Sequence, residues 1–316
     1  MKDPSAGTPS TRTGQWRISF AAGRTSPGLR GPAAETNDVT LLESIILGIV
    51  QGLTEFLPIS STAHLRVIPA LLGWNDPGAA FSAVIQIGTV LAVLVYFRKD
   101  LLDIVRGVLR GVRSGKPMQD PDARLGLYIC AGSVPIVFAG LLFQKAIKSE
   151  LRSLYVIAGA LVLVGLVMAI ADRFAGKRPA AEGNRAITLA DAMIVGTAQM
   201  FALIPGVSRS GSTIAAGLLR GLDRAEAARF SFLLSVPAVT GAGLKELHDL
   251  LSEGMAVEGI VTLVAGTVVS FVVGYAAIAG LIAFLKKRSV MVFVAYRIGL
   301  AVVLLALLGA GILVHV

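Results

Sequence analysis

The stretch Gly48–Leu65, GIVQGLTEFLPISSTAHL, decides the reading of this chain. It starts as an apolar membrane helix and is then interrupted by Glu55, Pro58, Ser60, Ser61, Thr62 and His64. Each unpaired polar group costs several kcal/mol in lipid, so such a segment persists only inside protein or against a water-filled cavity. An ionisable residue at that depth marks a functional site by default.

A second segment, Gly196–Ile214 (GTAQMFALIPGVSRSGSTI), has the same irregularity. Gly48 and Gln51 recur as Gly196 and Gln199, 148 positions later. Pro58 and the hydroxyls after it recur as Pro205 and its hydroxyls at an offset of 147, and Phe81-Ser82 resembles Phe230-Ser231. This is a weak internal duplication, and paired broken segments place a site at the interface of two repeats.

Composition sets the class around these segments. Mean hydropathy is +0.74 and 54% of residues are hydrophobic, so the expected fold is an all-α integral membrane protein. Uncharged runs cover 77–97, 125–144, 154–171, 259–285 and 298–316, and a run at 230–244 is completed from Ala225. These give about six transmembrane helices, at roughly 20 residues each. The two broken segments are expected as re-entrant helix–loop–helix elements; the alternative is eight spans, two of them kinked. Three spans separate the broken segments, an odd number, so the repeats (approximately 40–172 and 187–316, within a membrane domain of 39–316) are expected to be inverted, with their tips meeting near mid-bilayer.

Charge orients the chain. Arg98, Lys99, Arg106, Arg110, Arg113, Lys116 and Arg124 share one side with Arg173, Lys177, Arg178, Arg185, Arg220, Arg224, Arg229, Lys286, Lys287 and Arg288. Lys145, Lys148, Arg152 and Lys245 lie on the other. The positive-inside rule puts the first set in the cytoplasm and the entry of the first broken segment outside. The net charge of +9 follows from this bias and from contact with anionic lipid; nucleic acid is not an expected partner. Residues 1–38, rich in Gly, Pro, Ser, Thr and Arg, are expected to be a disordered extension or an over-long gene start. Cys130, the single cysteine, excludes an intrachain disulfide and is read as packing. Asp191 and His248-Asp249 are placed at solvated interfaces.

Several residue sets carry chemistry. Gln51 and Glu55, at i and i+4, share a helix face, where a carboxylate can hold a divalent cation or act as a base. One of Ser60, Ser61 and Thr62 is accounted for as a helix cap after Pro58. Ser61 and His64, one helical turn apart, suit a nucleophile and a proton carrier. Ser208, Arg209, Ser210 and Thr213, in PGVSRSGST, suit an anion cradle, with Arg209 providing a fork for phosphate oxygens. Arg297 is read either as snorkelling or as the partner of a carboxylate.

With those residues in view, the chain resembles the bacterial undecaprenyl-diphosphate phosphatase family, also called the bacitracin-resistance family. The resemblance rests on GIVQGLTEFLPISSTAHL and PGVSRSGST, in that order and spacing, and covers about 40–316. Where many members have a first glutamate, this chain has Gln51. The resemblance implies hydrolysis of a polyprenyl diphosphate to the monophosphate and inorganic phosphate, with Mg2+ or Ca2+ as cofactor, in the bacterial plasma membrane with the site open to the outer face. It implies catalytic roles for Glu55, Ser61, His64 and Arg209, substrate contacts for Gln51, Ser60, Thr62, Ser208, Ser210 and Thr213, and a possible metal contact at Glu55. The expected partners are the lipid diphosphate and the bilayer; a homodimer stays open. Direct attack by water activated by Glu55 is the alternative to Ser61, and a transporter or flippase of the same lipid is the alternative to an enzyme.

Overall fold

A computed structural model describes residues 39–143, 151, 153–175, 185–252 and 257–313. Expectations for residues 1–38, Lys145, Lys148, Arg152, Lys177 and Arg178 lie outside these residues. The regular elements among the described residues are all helices: α1 Leu41–Phe56, α2 Ser61–Leu72, α3 Gly78–Tyr96, α4 Arg98–Ser114, α5 Pro121–Leu142, α6 Leu154–Ala175, α7 Leu189–Met200, α8 Arg209–Leu219, α9 Arg224–Ser252, α10 Val257–Leu285 and α11 Met291–Gly309. Five of them, α5, α6, α9, α10 and α11, are long and apolar enough to cross a membrane, and the bent pair α3–α4 makes a sixth. The protein is an all-α integral membrane protein.

The two broken segments are built alike. Thr40 caps α1 in a capping box with Glu43, and Thr188 caps α7 in one with Asp191, 148 positions later. Pro58 disfavours helical geometry at Leu57, which is extended and ends α1. The second helix of each pair starts from a serine with positive φ, Ser60 (76°) and Ser208 (69°). Among the described residues these are the only non-glycine residues in that region. The structural offset of 148 therefore runs through both loops and pairs Pro58 with Gly206 instead of Pro205. Gly206 has φ of 94°, and a Cβ there would sit 2.6 Å from the Ile157 carbonyl, so only glycine fits.

None of α1, α2, α7 and α8 reaches the roughly 20 residues of a span. The second pair is closed at its base: Asp191, at the start of α7, is held by Arg220, just past the end of α8, at 2.8 Å. That segment leaves on the side it entered, which rules out its reading as a kinked span. In the first pair, Leu47 of α1 and Leu65 of α2 share one apolar cluster.

Packing exchanges the halves. The first broken helix, α1, lies against α10 of the second half, and α7 lies against α5 of the first; likewise α3 packs on α10 and α9 on α5. Both broken helices approach their hosts through glycine. A Cβ on Gly48 would come within 2.6 Å of the Gly266 carbonyl, and one on Gly196 within 2.0 Å of that of Gly132.

The ends of six helices are joined on one basic face. Arg229 Nε donates to Asp100 at 3.0 Å, linking α9 to α4, and Arg110 donates to Asp120 at 2.8 Å. Arg224 and Ser289 both donate to Asp172 at 2.6 Å, tying α9 and the α10–α11 turn to α6. Arg110, Arg224 and Arg229, three of the basic residues grouped from charge, thus lie together.

Four expectations are corrected. Asp191 is fully buried and not solvated, because Arg185 and Arg220 satisfy it at 2.5 and 2.8 Å. Burial raises its pKa, but the hydrogen bonds from Arg185, Thr188 and Arg220 outweigh this and hold the carboxyl far below the usual range. Cys130 is exposed on α5, not packed. The last span begins at Met291, ahead of the uncharged run 298–316, since the Arg297 guanidinium is hydrogen-bonded within the bundle and does not end the helix. Its partners are carbonyls, neither a carboxylate nor the membrane surface.

Candidate active site

The tips of the two broken segments meet, and the residues that meet are those singled out from the sequence. Glu55, in the last turn of α1, is 7% exposed and accepts four hydrogen bonds. Its Oε1 accepts from Arg209 Nη2 at 3.0 Å and Nε at 3.3 Å, across the interface of the two halves. Its Oε2 accepts from Ser61 Oγ at 2.6 Å and from Gln51 Nε2 at 3.0 Å. The i, i+4 spacing accounts for Gln51, and the Pro58 break, which turns α2 back over α1, accounts for Ser61.

Arg209 is the first residue of α8, and the positive end of that helix adds to its charge. It is held from behind: Nη1 donates to the Ser231 carbonyl at 3.4 Å, and its own carbonyl accepts from Thr213 Oγ1 at 2.6 Å. Thr213 also bonds the Ser231 hydroxyl at 2.5 Å. Ser210 donates to the Leu57 carbonyl at 3.1 Å, which docks α8 on the first loop. Ser208 caps α8 through Gly211 N at 3.1 Å, and Ser60 caps α2 through Ala63 N at 3.4 Å. Thr62 Oγ1 accepts from Gly206 N at 3.4 Å. Of the six residues expected to contact substrate, Ser210 and Thr62 bond across the two loops, Ser60 and Ser208 cap α2 and α8, and Thr213 supports Arg209.

His64 shares a helix with Ser61 but does not pair with it. Its Nδ1 lies 2.7 Å from the Ser60 carbonyl, which can only accept, so Nδ1 carries the proton. Its Nε2 faces the Tyr296 hydroxyl at 2.7 Å, with the two rings stacked 5.6 Å apart. The group positioned to take the Ser61 proton is Glu55.

Arg297 and Tyr296 were not among the residues expected in the site. Arg297 is fully buried and sits between the loops. Its Nη1 donates to the Pro58 carbonyl at 3.2 Å and its Nη2 to that of Gly206 at 2.8 Å, the two positions related by the 148-residue offset. Further bonds reach Val207 (3.1 Å), Ala160 (3.2 Å) and Leu161 (3.2 Å). A cation inside an apolar run was the available signal; nothing local in the sequence pointed to Tyr296.

The donor set fits one hard cation only in part. No group of three or more His, Cys, Asp or Glu side chains that could hold a metal occurs among the described residues. Glu55 brings one carboxylate, and Gln51 Oε1 is buried without a hydrogen-bond partner. A magnesium ion needs few protein ligands when phosphate oxygens and water fill its octahedron, so these two oxygens suit an ion shared with a phosphorylated substrate.

Comparison with known proteins agrees with the geometry. The family model described as bacitracin resistance protein BacA matches residues 44–303. The undecaprenyl-diphosphatase of Chlorobium phaeobacteroides (strain BS1) is 52% identical over 281 residues, 87% of this chain and 99% of that protein. That of Chloroherpeton thalassium is 52% identical over 277 residues, 86% of this chain and 98% of that protein. That of Chlorobaculum tepidum is 48% identical over 279 residues, with 86% and 99% covered.

Proposed function

The chain belongs to the bacitracin resistance protein BacA family, and from that we propose that it hydrolyses undecaprenyl diphosphate to undecaprenyl phosphate and inorganic phosphate. It is an undecaprenyl-diphosphatase of a bacterial membrane, and its product is the lipid carrier of cell-wall synthesis. The observation that carries the mechanism is one carboxylate serving both halves: Glu55 accepts from Ser61 at 2.6 Å and from Arg209 at 3.0 Å.

In the reaction we infer, Arg209 turns from Glu55 to the terminal phosphate and takes up charge on its non-bridging oxygens as the transition state forms. Glu55, released by Arg209, accepts the Ser61 proton, and Ser61 Oγ attacks the terminal phosphorus. The bond to the bridging oxygen breaks, that oxygen takes the proton from Glu55, and undecaprenyl phosphate leaves. Water, giving its proton to Glu55, then attacks the phosphoserine, and phosphate departs as Ser61 regains a proton. The net change is one water consumed per diphosphate. His64, with Nδ1–H fixed on Ser60 and Nε2 facing the Tyr296 hydroxyl, takes no proton from Ser61 in this reading.

A divalent cation, Mg2+ or Ca2+, would be held by Glu55 and the Gln51 carbonyl oxygen and would neutralise diphosphate charge. The absence of a second carboxylate at position 51 supports one ion, not two. The basic face supports a site opening to the outer side of the plasma membrane. Hydrolysis is favoured over transport without chemistry because an activated hydroxyl has no task in a carrier.

Phosphate release from undecaprenyl diphosphate by purified protein tests the reading. Ser61→Ala should lose activity as fully as Ser61→Ala combined with Glu55→Gln, because the two act as a unit. Substantial turnover in Ser61→Ala, with activity lost only in Glu55→Gln, would assign the attack to water instead.

A further inference from the structure

The helix α4 has no place in the catalytic site, and its surface is divided into three stripes. Ile104, Gly107, Val108 and Gly111 face α5: a Cβ on Gly107 would meet Asp122 and Ala123 at 2.6 and 2.7 Å, and one on Gly126 would meet Ile104 at 2.7 Å. Lys99, Asp103, Arg106, Arg110 and Arg113 form a second, polar stripe at alternating spacings of four and three. Leu102, Val105, Leu109 and Val112 form the third, and they are 51%, 55%, 52% and 68% exposed. Four large apolar side chains in register along one face call for a cover.

Direction identifies the cover. The preceding apolar helix α3 carries the crossing of the bent pair, and α4 departs from it at 74° within a single residue. If α3 runs near the bilayer normal, α4 lies near the membrane plane. It then meets the boundary with its apolar flank toward the acyl chains and its polar flank toward water. The charge has the matching sign. Arg110 is committed to Asp120 and Asp122, and Arg106 faces Asp103. Lys99, Arg113 and Lys116 are exposed and belong to no ion pair recorded among the described residues.

We propose that α4 is an interfacial anchor whose Leu102–Val112 stripe inserts beneath the headgroups of an anionic leaflet while Lys99, Arg113 and Lys116 bind their phosphates. The partner is the lipid surface, and the anchor fixes the depth of the basic face through the Asp100–Arg229 and Arg110–Asp120 contacts.

The test uses the full chain carrying Cys130→Ala, reconstituted in vesicles of phosphatidylcholine with and without phosphatidylglycerol. Single nitroxide labels go on Leu102→Cys, Val105→Cys, Arg106→Cys, Leu109→Cys, Val112→Cys and Arg113→Cys. The ratio of oxygen to nickel-chelate accessibility should be roughly tenfold higher at 102, 105, 109 and 112 than at 106 and 113, and the labels should sit deeper with phosphatidylglycerol present. The deepening should vanish in Lys99→Gln/Arg113→Gln/Lys116→Gln, with phosphate release in neutral vesicles kept within about twofold. Water-like accessibility at the apolar positions would overturn the proposal. So would dipolar broadening between labels, which means a second copy covers the stripe, or a triple variant inactive in neutral vesicles.

Discussion

Replacing Arg297 by methionine removes a buried side chain that donates to carbonyls of both loops. Methionine matches the stem length but takes away every donor. The Ala160 and Leu161 carbonyls lie inside α6, where they can keep their helical bonds, so the loss falls on Pro58, Gly206 and Val207. A buried carbonyl left without a donor costs about 1–3 kcal/mol, so three cost at least about 3 kcal/mol. Part of this is offset, since a buried guanidinium with no carboxylate beside it no longer needs desolvating. A net loss of about 2–3 kcal/mol, at roughly 2–4 °C per kcal/mol, lowers the melting temperature by about 5–10 °C. Activity should fall further than stability. Pro58 and Gly206 lie three residues ahead of Ser61 and Arg209, so a 1 Å relaxation between the loops moves nucleophile and cation apart, which costs on the order of 100-fold in turnover. The assay is phosphate release at a temperature where both proteins are folded, alongside a thermal melt in detergent. Arg297→Lys, with three donors and the charge retained, should fall between the two. Arg297→Met turning over within threefold of wild type would refute the idea that this clamp sets the geometry of the site.

Other outcomes follow from the same contacts. Arg209→Ala should reduce phosphate release by at least about a thousandfold, and Arg209→Lys should restore little, since a point charge lacks the fork that grips two phosphate oxygens; kinetics on folded protein decide it. Tyr296→Phe keeps the stacked ring but removes the hydroxyl from His64 Nε2, and turnover should drop about tenfold with KM nearly unchanged. Asp191→Asn should lower the melting temperature at pH 7. Because the folded carboxyl is held below its unfolded value near 3.8, that stabilisation is complete above about pH 4 and fades only as pH falls below it, where the melts of variant and wild type should converge. Chelation of divalent cations should abolish release, and Glu55→Gln should not regain it at any Mg2+ concentration.

The sequence by itself determined the class, the broken segments and the polar residues that meet at their tips. Hydropathy marks spans because lipid admits few unpaired polar groups, and that same cost makes Glu55, His64 and Arg209 conspicuous. The i, i+4 pair Gln51–Glu55 and the two serine caps are local and could be read from spacing. Only the tertiary structure decided who meets whom. The Glu55–Arg209 pair spans 154 positions, and nothing in either segment says that its carboxylate, not the nearby His64, receives the Ser61 hydroxyl. That choice comes from the positive φ of Ser60, which aims the loop carbonyl at His64, and from Tyr296, which arrives from the other end of the chain. Arg297 carries the same lesson. A cation in an apolar run is visible in sequence, but its partners are backbone carbonyls from three separate segments, and carbonyls look alike at every position until the fold brings them together.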